Sequence, residues 1–334
     1  FSIKESCQQE LLSIDSLVYT NPNLSWDFCL GDFKTVPTIE AEIGDSFSGS
    51  YGLKIIEDNG LYYGFSINNL KLYRIEFGND LGNTTPLITD LGDFGGLITN
   101  AEGIDIVKEG SQWIGICGYG STAFAGNMIR LVWDDLEQLP TVENLGVFGI
   151  NGRMRDVKIV RQLSNFIVVA ANGVQNKLVR IDFGSSLLNN PLAGDIYESA
   201  ALSNVSSAIT LSVVKKGGNW YVILGSIVTK MISVFDLGSD ILSEPVHITS
   251  QAFPLFDYLA KLKVVRDGNS YYAIASTING PLHLLDLKGL NSTDTFEELV
   301  IAGMPTAYGL DVFKENSSYY ILGSWSKLQQ LFFD

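Results

Sequence analysis

NKLVRIDFGSSLLNNP, from Asn176 to Pro191, restates LKLYRIEFGNDLGNTTP, from Leu70 to Pro86. A chain that says one phrase twice, about a hundred residues apart, is built from repeats. Working outward from these two copies gives the period. Six segments align: LKIIEDNGLYYGF from Leu53, IDIVKEGSQWIGI from Ile104, VKIVRQLSNFIVV from Val157, LSVVKKGGNWYVI from Leu211, LKVVRDGNSYYAI from Leu262 and LDVFKENSSYYIL from Leu310. Their second residues, Lys54, Asp105, Lys158, Ser212, Lys263 and Asp311, serve as anchors spaced by 51, 53, 54, 51 and 48 residues.

Each segment is an apolar, β-branched run, a short polar turn and a second run rich in Tyr, Trp and Phe. Asn59-Gly60, Glu109-Gly110, Gly217-Gly218 and Asp267-Gly268 supply the positive φ that tight hairpins need. The quoted phrase then reads as a third strand, closed by an acid in five repeats: Glu76, Asp182, Asp236, Asp286 and Asp334. Those acids are expected to bond local backbone donors as the strand ends. A fourth strand follows in most repeats, as in PLITDLG from Pro86, TVENLG from Thr141, PVHITS from Pro245 and EELVIAG from Glu297. Four antiparallel strands in about fifty residues, repeated, describe propeller blades.

The fold expected is therefore all-β: a six-bladed β-propeller of four-stranded antiparallel blades. The last repeat ends after its third strand, and TIEAEIG from Thr38 stands where a fourth strand stands elsewhere. The N-terminal strand is expected to complete the C-terminal blade and close the ring. Residues 1–35 are read as a segment packing on the propeller rim and 36–334 as one domain. Equivalent aromatics in the second strands, Tyr62, Trp113, Phe166, Trp220, Tyr271 and Tyr319, are read as wedges between blades rather than as a sugar platform.

The formal charge of −15 opposes binding to phosphate backbones or anionic lipid, so nucleic acid is excluded as a partner. No apolar run approaches the roughly 18 residues that span a bilayer. The opening FSIKESCQQELL carries neither Met nor a hydrophobic signal core, as expected of a mature or excised segment. Low Lys content with abundant Asn, Ser, Gly and Tyr fits an extracellular protein. Of three cysteines, Cys7 and Cys29 form a disulfide candidate and Cys117 reads as a buried thiol.

No HExxH, GxSxG, Walker or EF-hand pattern occurs, and the two histidines, His247 and His283, sit in non-equivalent strands. No cofactor and no metal site is expected. Asp105, Asp156 and Asp311 lie on or near channel-lining first strands. Asp105 and Asp311 are weak cation candidates, because Lys54 and Lys263 at matching anchors suit a charge-balanced wall equally well. Irregular loops held on a rigid scaffold are the usual place for recognition. The fourth-to-first and second-to-third loops share one face, and there Phe94, Tyr119, Phe124, Phe148, Arg153, Arg155, Phe253, Phe256, Tyr258 and Trp325 are the ligand-binding candidates.

LVRIDFGSSLLNNP, with LGDFGGLITNAEGIDIVKEGSQWIG from Leu91, resembles a propeller repeat of large secreted Bacteroidetes proteins, including gliding- and surface-associated ones. The resemblance spans roughly residues 36–334. It implies a secreted or cell-surface propeller, often one module of a larger chain, and brings no agreed catalytic residues. The function expected first is a non-enzymatic interaction or adhesion module binding a protein or glycan at the cell surface. The alternative is a polysaccharide hydrolase or lyase with acids at the channel mouth.

Overall fold

Asn59 and Gly60 both adopt positive φ, which lets the first hairpin reverse in two residues and pairs Asp58 with Leu61 across it. That local rule is repeated along the chain. The computed structural model describes residues 38–43, 50–68, 70–98, 100–119, 127–254, 256, 258–278, 280–301, 307–315, 318–324 and 328–333. Cys7, Cys29, Phe124, Trp325, Asp334 and the 1–35 segment lie outside the described residues.

The architecture is a β-propeller of four-stranded antiparallel blades. Five blades are each made of consecutive strands. The first holds β2 (Ser50–Asp58), β3 (Leu61–Asn68), β4 (Leu72–Gly78) and β5 (Leu87–Gly92). The second holds β6 (Ala101–Glu109), β7 (Gln112–Tyr119), β8 (Met128–Trp133) and β9 (Thr141–Gly146). The third holds β10 (Met154–Gln162), β11 (Asn165–Asn172), β12 (Lys177–Asp182) and β13 (Ile196–Glu198). The fourth holds β14 (Ala208–Lys216), β15 (Asn219–Ser226), β16 (Met231–Gly238) and β17 (Val246–Ala252). The fifth holds β18 (Leu259–Asp267), β19 (Ser270–Thr277), β20 (Leu282–Asp286) and β21 (Glu297–Ile301). The final strands β22 (Gly309–Glu315), β23 (Ser318–Ser324) and β24 (Leu328–Phe333) form a sheet whose fourth member is β1 (Thr38–Ile43), antiparallel to β24.

Burial explains the sequence pattern. Second strands such as β11 are covered on both faces, so they read as continuous apolar runs rather than alternating ones. Outer strands such as β9 are mostly accessible and carry Thr141, Glu143 and Asn144. The core lies between neighbouring sheets: Phe65 and Leu72 pack on Trp113 and Trp133, and Leu53, Ile75 and Phe77 pack on Leu322 and Leu328 of the last sheet. Phe65 and Trp133 meet at a centroid distance of 4.9 Å. Burying one such side chain contributes about 1.5–3 kcal/mol.

The wedge aromatics behave as expected. Trp113, Phe166, Trp220, Tyr271 and Tyr319 are buried, and Tyr62 is half-buried against Phe313. Four of them lie under a cation from the facing residue of the same hairpin: Lys108 over Trp113, Arg161 over Phe166, Lys215 over Trp220 and Lys314 over Tyr319. Three strand-closing acids also act as read. Asp182, Asp236 and Asp286 accept from the N–H groups of Gly184, Gly238 and Lys288. Glu76 instead pairs with Arg74 at 2.7 Å.

Adjacent blades are joined polar group to backbone at their outer parts. Arg74 donates to Leu136 O, Arg130 to Leu187 O and Arg180 to Ser243 O, each in the next blade. Gln330, at the equivalent position of β24, donates to Leu81 O in the first blade. Packing is close enough for glycine to be required at Gly118, where a Cβ would stand 2.3 Å from Met154 O of the next blade. Gly118→Ala is therefore expected to lower stability by about 1–3 kcal/mol. A urea unfolding midpoint equal to wild type would contradict this packing.

Candidate functional site

Each first strand is bent where it enters the propeller. In β2, β6, β10, β14 and β18 the ladder slips by one residue near its start, a β-bulge. The unpaired residues are Tyr51, Glu102, Arg155, Ile209 and Ala260; Tyr308 immediately precedes β22 at the equivalent position, three before its anchor. Bulges re-aim side chains and concentrate next to active sites. Here they set five of six equivalent positions at the starts of the first strands, polar or aromatic from Tyr308 through Tyr51 and Glu102 to Arg155. Tyr51 and Tyr308 stand edge-to-face at 5.1 Å. Arg155 Nε is 3.8 Å from Glu102 Oε2.

One step deeper the six positions are Gly52, Gly103, Asp156, Thr210, Lys261 and Gly309. The glycines let neighbouring first strands close in: a Cβ on Gly103 would lie 2.7 Å from Asp156 Cα. The other half of this layer is bridged by side chains. Lys261 Nζ reaches Asp156 Oδ1 at 3.1 Å and also donates to Arg155 O. Thr210 donates to Asp156 Oδ2 and accepts from Leu262 N–H.

The anchors form the next layer and lock blade to blade. Ile55 N–H donates to Asp311 Oδ2 at 2.7 Å, Ile159 N–H to Asp105 Oδ2 at 2.9 Å and Val264 N–H to Ser212 Oγ at 3.1 Å. The second carboxylate oxygens face lysines: Lys54 on Asp105 at 3.1 Å and Lys263 on Asp311 at 3.1 Å. Burial alone would raise these carboxyls. For Asp105, Lys158, Lys54, Lys263 and the Ile159 amide outweigh burial and hold it far below the usual carboxylate range. Asp156 and Asp311 are likewise held low, burial being opposed chiefly by Lys261 and Lys263 respectively. Glu102 is the exception. Burial, opposed by Arg155, Lys261 and Arg153 and reinforced by Asp156, pushes its carboxyl above the ordinary value.

The charge-balanced wall thus describes Asp105 and Asp311. Among the described residues no group of three or more His, Cys, Asp or Glu stands close enough to hold a metal. His283 is buried against Phe256, with Nδ1 2.6 Å from Glu298 Oε1, and His247 Nε2 lies 2.7 Å from Ser250 Oγ. Cys117 is a buried free thiol whose pKa burial drives upward.

Of the loop-face candidates, Arg153 and Arg155 come together around Glu102 at the mouth. Tyr119, Phe253 and Phe256 do not present rings to solvent. Tyr119 is buried and donates to Leu97 O, and Phe253 and Phe256 stack at 4.8 Å inside the core. Phe94 and Phe148 cap the first and second inter-blade clusters from left-handed backbone, φ 51° and 46°. Tyr258 shares that conformation and is exposed. Tyr51, Glu102 and Tyr308 were not among the sequence candidates. The signal that marks them is their offset of three residues before each anchor, with Gly52, Gly103 or Gly309 following.

Solved glycoside hydrolases share this architecture. An exo-β-1,3-galactanase from Phanerochaete chrysosporium, bound to β-1,3-galactotriose, superposes with TM-score 0.56 at 12% identity, covering 85% of this chain and 70% of that one. The catalytic domain of a GH62 α-L-arabinofuranosidase from Coprinopsis cinerea gives 0.52 at 14%, covering 88% and 96%. A thermostable family-43 glycoside hydrolase gives 0.56 at 10%, covering 79% and 97%. At these identities the likeness concerns the fold. No protein-family model and no curated protein matches the sequence.

The depressed Asp pKa values carry a pH dependence. A carboxyl whose folded pKa lies below its unfolded value of about 3.9 adds stability that is complete above that value and is lost as pH falls. Stability is therefore expected to drop steeply below about pH 4, with a shallower drop in Asp156→Asn. Urea midpoints between pH 6 and 2 check this, and an unchanged slope in the variant would refute the role given to Asp156.

Proposed function

We propose that this chain is a carbohydrate-active propeller that seats a glycan at the channel mouth, where Tyr51, Tyr308, Glu102, Arg153 and Arg155 gather. The observation that carries the reading is Glu102: a half-buried carboxyl with raised pKa, placed by a bulge beside Arg155 and near the ionised Asp156. Two carboxyls pushed apart in pKa are what acid-assisted glycoside cleavage uses. On this reading Glu102 donates its proton to the leaving glycosidic oxygen as the C–O bond breaks, water adds to the anomeric carbon and its released proton restores Glu102, and the Tyr51–Tyr308 pair offers a ring face and edge to a sugar. The glycoside hydrolases of like fold support this reading, a polysaccharide hydrolase, over an adhesion module. Asp105 and Asp311 are not the acids of this proposal, because both are spent on backbone N–H groups and lysines.

A second reading, a glycan-binding module without catalysis, is favoured by one observation. Asp156, the ionised carboxylate near Glu102, is fully engaged by Lys261, Thr210 and Leu211 N–H.

We also infer that the sheets make one six-bladed ring closed by β1 on β24. The core shared by the last sheet and the first blade and the Asp311–Ile55 hydrogen bond support it. A secreted or cell-surface setting, as a module of a larger Bacteroidetes surface protein, belongs to the same reading and rests on the sequence resemblance.

Polysaccharide hydrolysis followed by reducing-end release, with a glycan array in parallel, tests the function. Glu102→Gln is expected to cut turnover by about 10²–10⁴-fold while leaving glycan binding within about threefold. Tyr51→Ala and Tyr308→Ala are expected to weaken binding. Turnover undiminished in Glu102→Gln would remove the assigned acid. Binding without turnover in wild type would establish the second reading, and neither binding nor turnover would refute both.

A further inference from the structure

Around the anchor layer the charges alternate: Lys54, Asp105, Lys158, Ser212, Lys263, Asp311. Five positions obey the alternation, and Ser212 breaks it where a third acid would stand. Its hydroxyl does the backbone work of the aspartates, accepting from Val264 N–H and donating to Leu262 O. It has no second oxygen to set before a lysine. The two flanking lysines show the consequence. Lys263 turns to Asp311 at 3.1 Å, while Lys158 reaches Asp105 only at 3.7 Å, and Asp105 is already closer to Lys54. The layer therefore holds three lysines against two aspartates. The Asp156–Lys261 pair nearby is neutral and does not correct the excess.

A cavity of about 180 Å³ opens at this position, lined by Lys158, Ser212, Lys263 and Asp311, with Val213, Val264, Val265 and Val312 as apolar walls. We propose that it is a binding site for one small monoanion, a carboxylate or halide, that takes the place of the missing third acid between Lys158 and Lys263. The single uncompensated charge selects a monoanion over a dianion, and the valine walls favour a weakly hydrated ion. Burial, opposed by Asp105 and reinforced by Lys263, holds Lys158 below its ordinary pKa, and a bound anion would offset the repulsion from Lys263. The site goes beyond the carbohydrate reading and does not depend on it.

The test follows thermal unfolding of the full chain in sodium formate and in sodium sulfate at matched ionic strength. Formate is expected to raise the midpoint saturably, whereas sulfate gives only the non-saturating rise of an excluded salt. Ser212→Asp supplies the missing carboxylate; it is expected to raise the midpoint without added salt and to weaken the formate response by at least about tenfold in apparent affinity. Lys158→Met, checked by far-UV circular dichroism for an unchanged fold, is expected to lose the response as well and decides the matter if Ser212→Asp does not fold. A saturable rise in sulfate, no saturable rise in formate, or a formate response undiminished in the folded variants overturns the proposal.

Discussion

The structure depends on one recurring bond: a side chain on the first strand of one blade accepts the backbone N–H of the next blade's first strand. Asp105, Asp156, Ser212 and Asp311 all act this way. First strands in different sheets share no β-ladder, so their inward N–H groups would otherwise be buried without partners. An unpaired buried donor costs about 1–3 kcal/mol, and a carboxylate satisfies it with a charge-assisted bond. The aspartates in turn need lysines, which fixes the charges along the channel. Inter-blade attachment and channel electrostatics are thus two results of one requirement.

That requirement divides the acids of the channel by role. Carboxylates committed to backbone donors and ammonium groups are ionised and immobile, and they are poor proton donors near neutral pH. Glu102 escapes because a bulge lifts it one position above the layer where bonds to the next blade are made. Its environment is set by desolvation more than by its cations. A difference of one residue in ladder register separates a structural acid from a chemically available one.

Much of the fold was legible because repetition amplifies weak signals. No single hairpin is decisive, but Asn59-Gly60 and Gly217-Gly218 at matching offsets are. The wedge aromatics were legible for the same reason, since Trp113, Phe166 and Trp220 coincide in register. The site was less legible. Tyr119 and Phe253 looked like surface aromatics because irregular sequence adjoins them, yet Tyr119 ends β7, Phe253 follows β17 and both turn inward, a choice that local sequence does not encode. Tyr51, Glu102 and Tyr308 share a position with Arg155, Ile209 and Ala260, and no one residue type recurs around it, so alignment by residue type passes over them. Arg153 and Arg155 were found because arginine is conspicuous in an acidic chain.

The outer joints described above are unevenly distributed. Arg74, Arg130, Arg180 and Gln330 reach into the following blade, whereas the matching residues of β16 and β20 are Val234 and Leu284. At the fourth-to-fifth seam the stitch moves to the outer strand: Gln251 of β17 donates to Phe296 O and accepts from Phe296 N–H, and Lys216 donates to Gly289 O. Directional bonds fix an angle between sheets, and apolar contacts fix only a spacing. The angle between the fourth and fifth blades is therefore held by an outer-strand amide that bonds both backbone groups of one residue, so the same orientation is kept with a glutamine in place of an arginine.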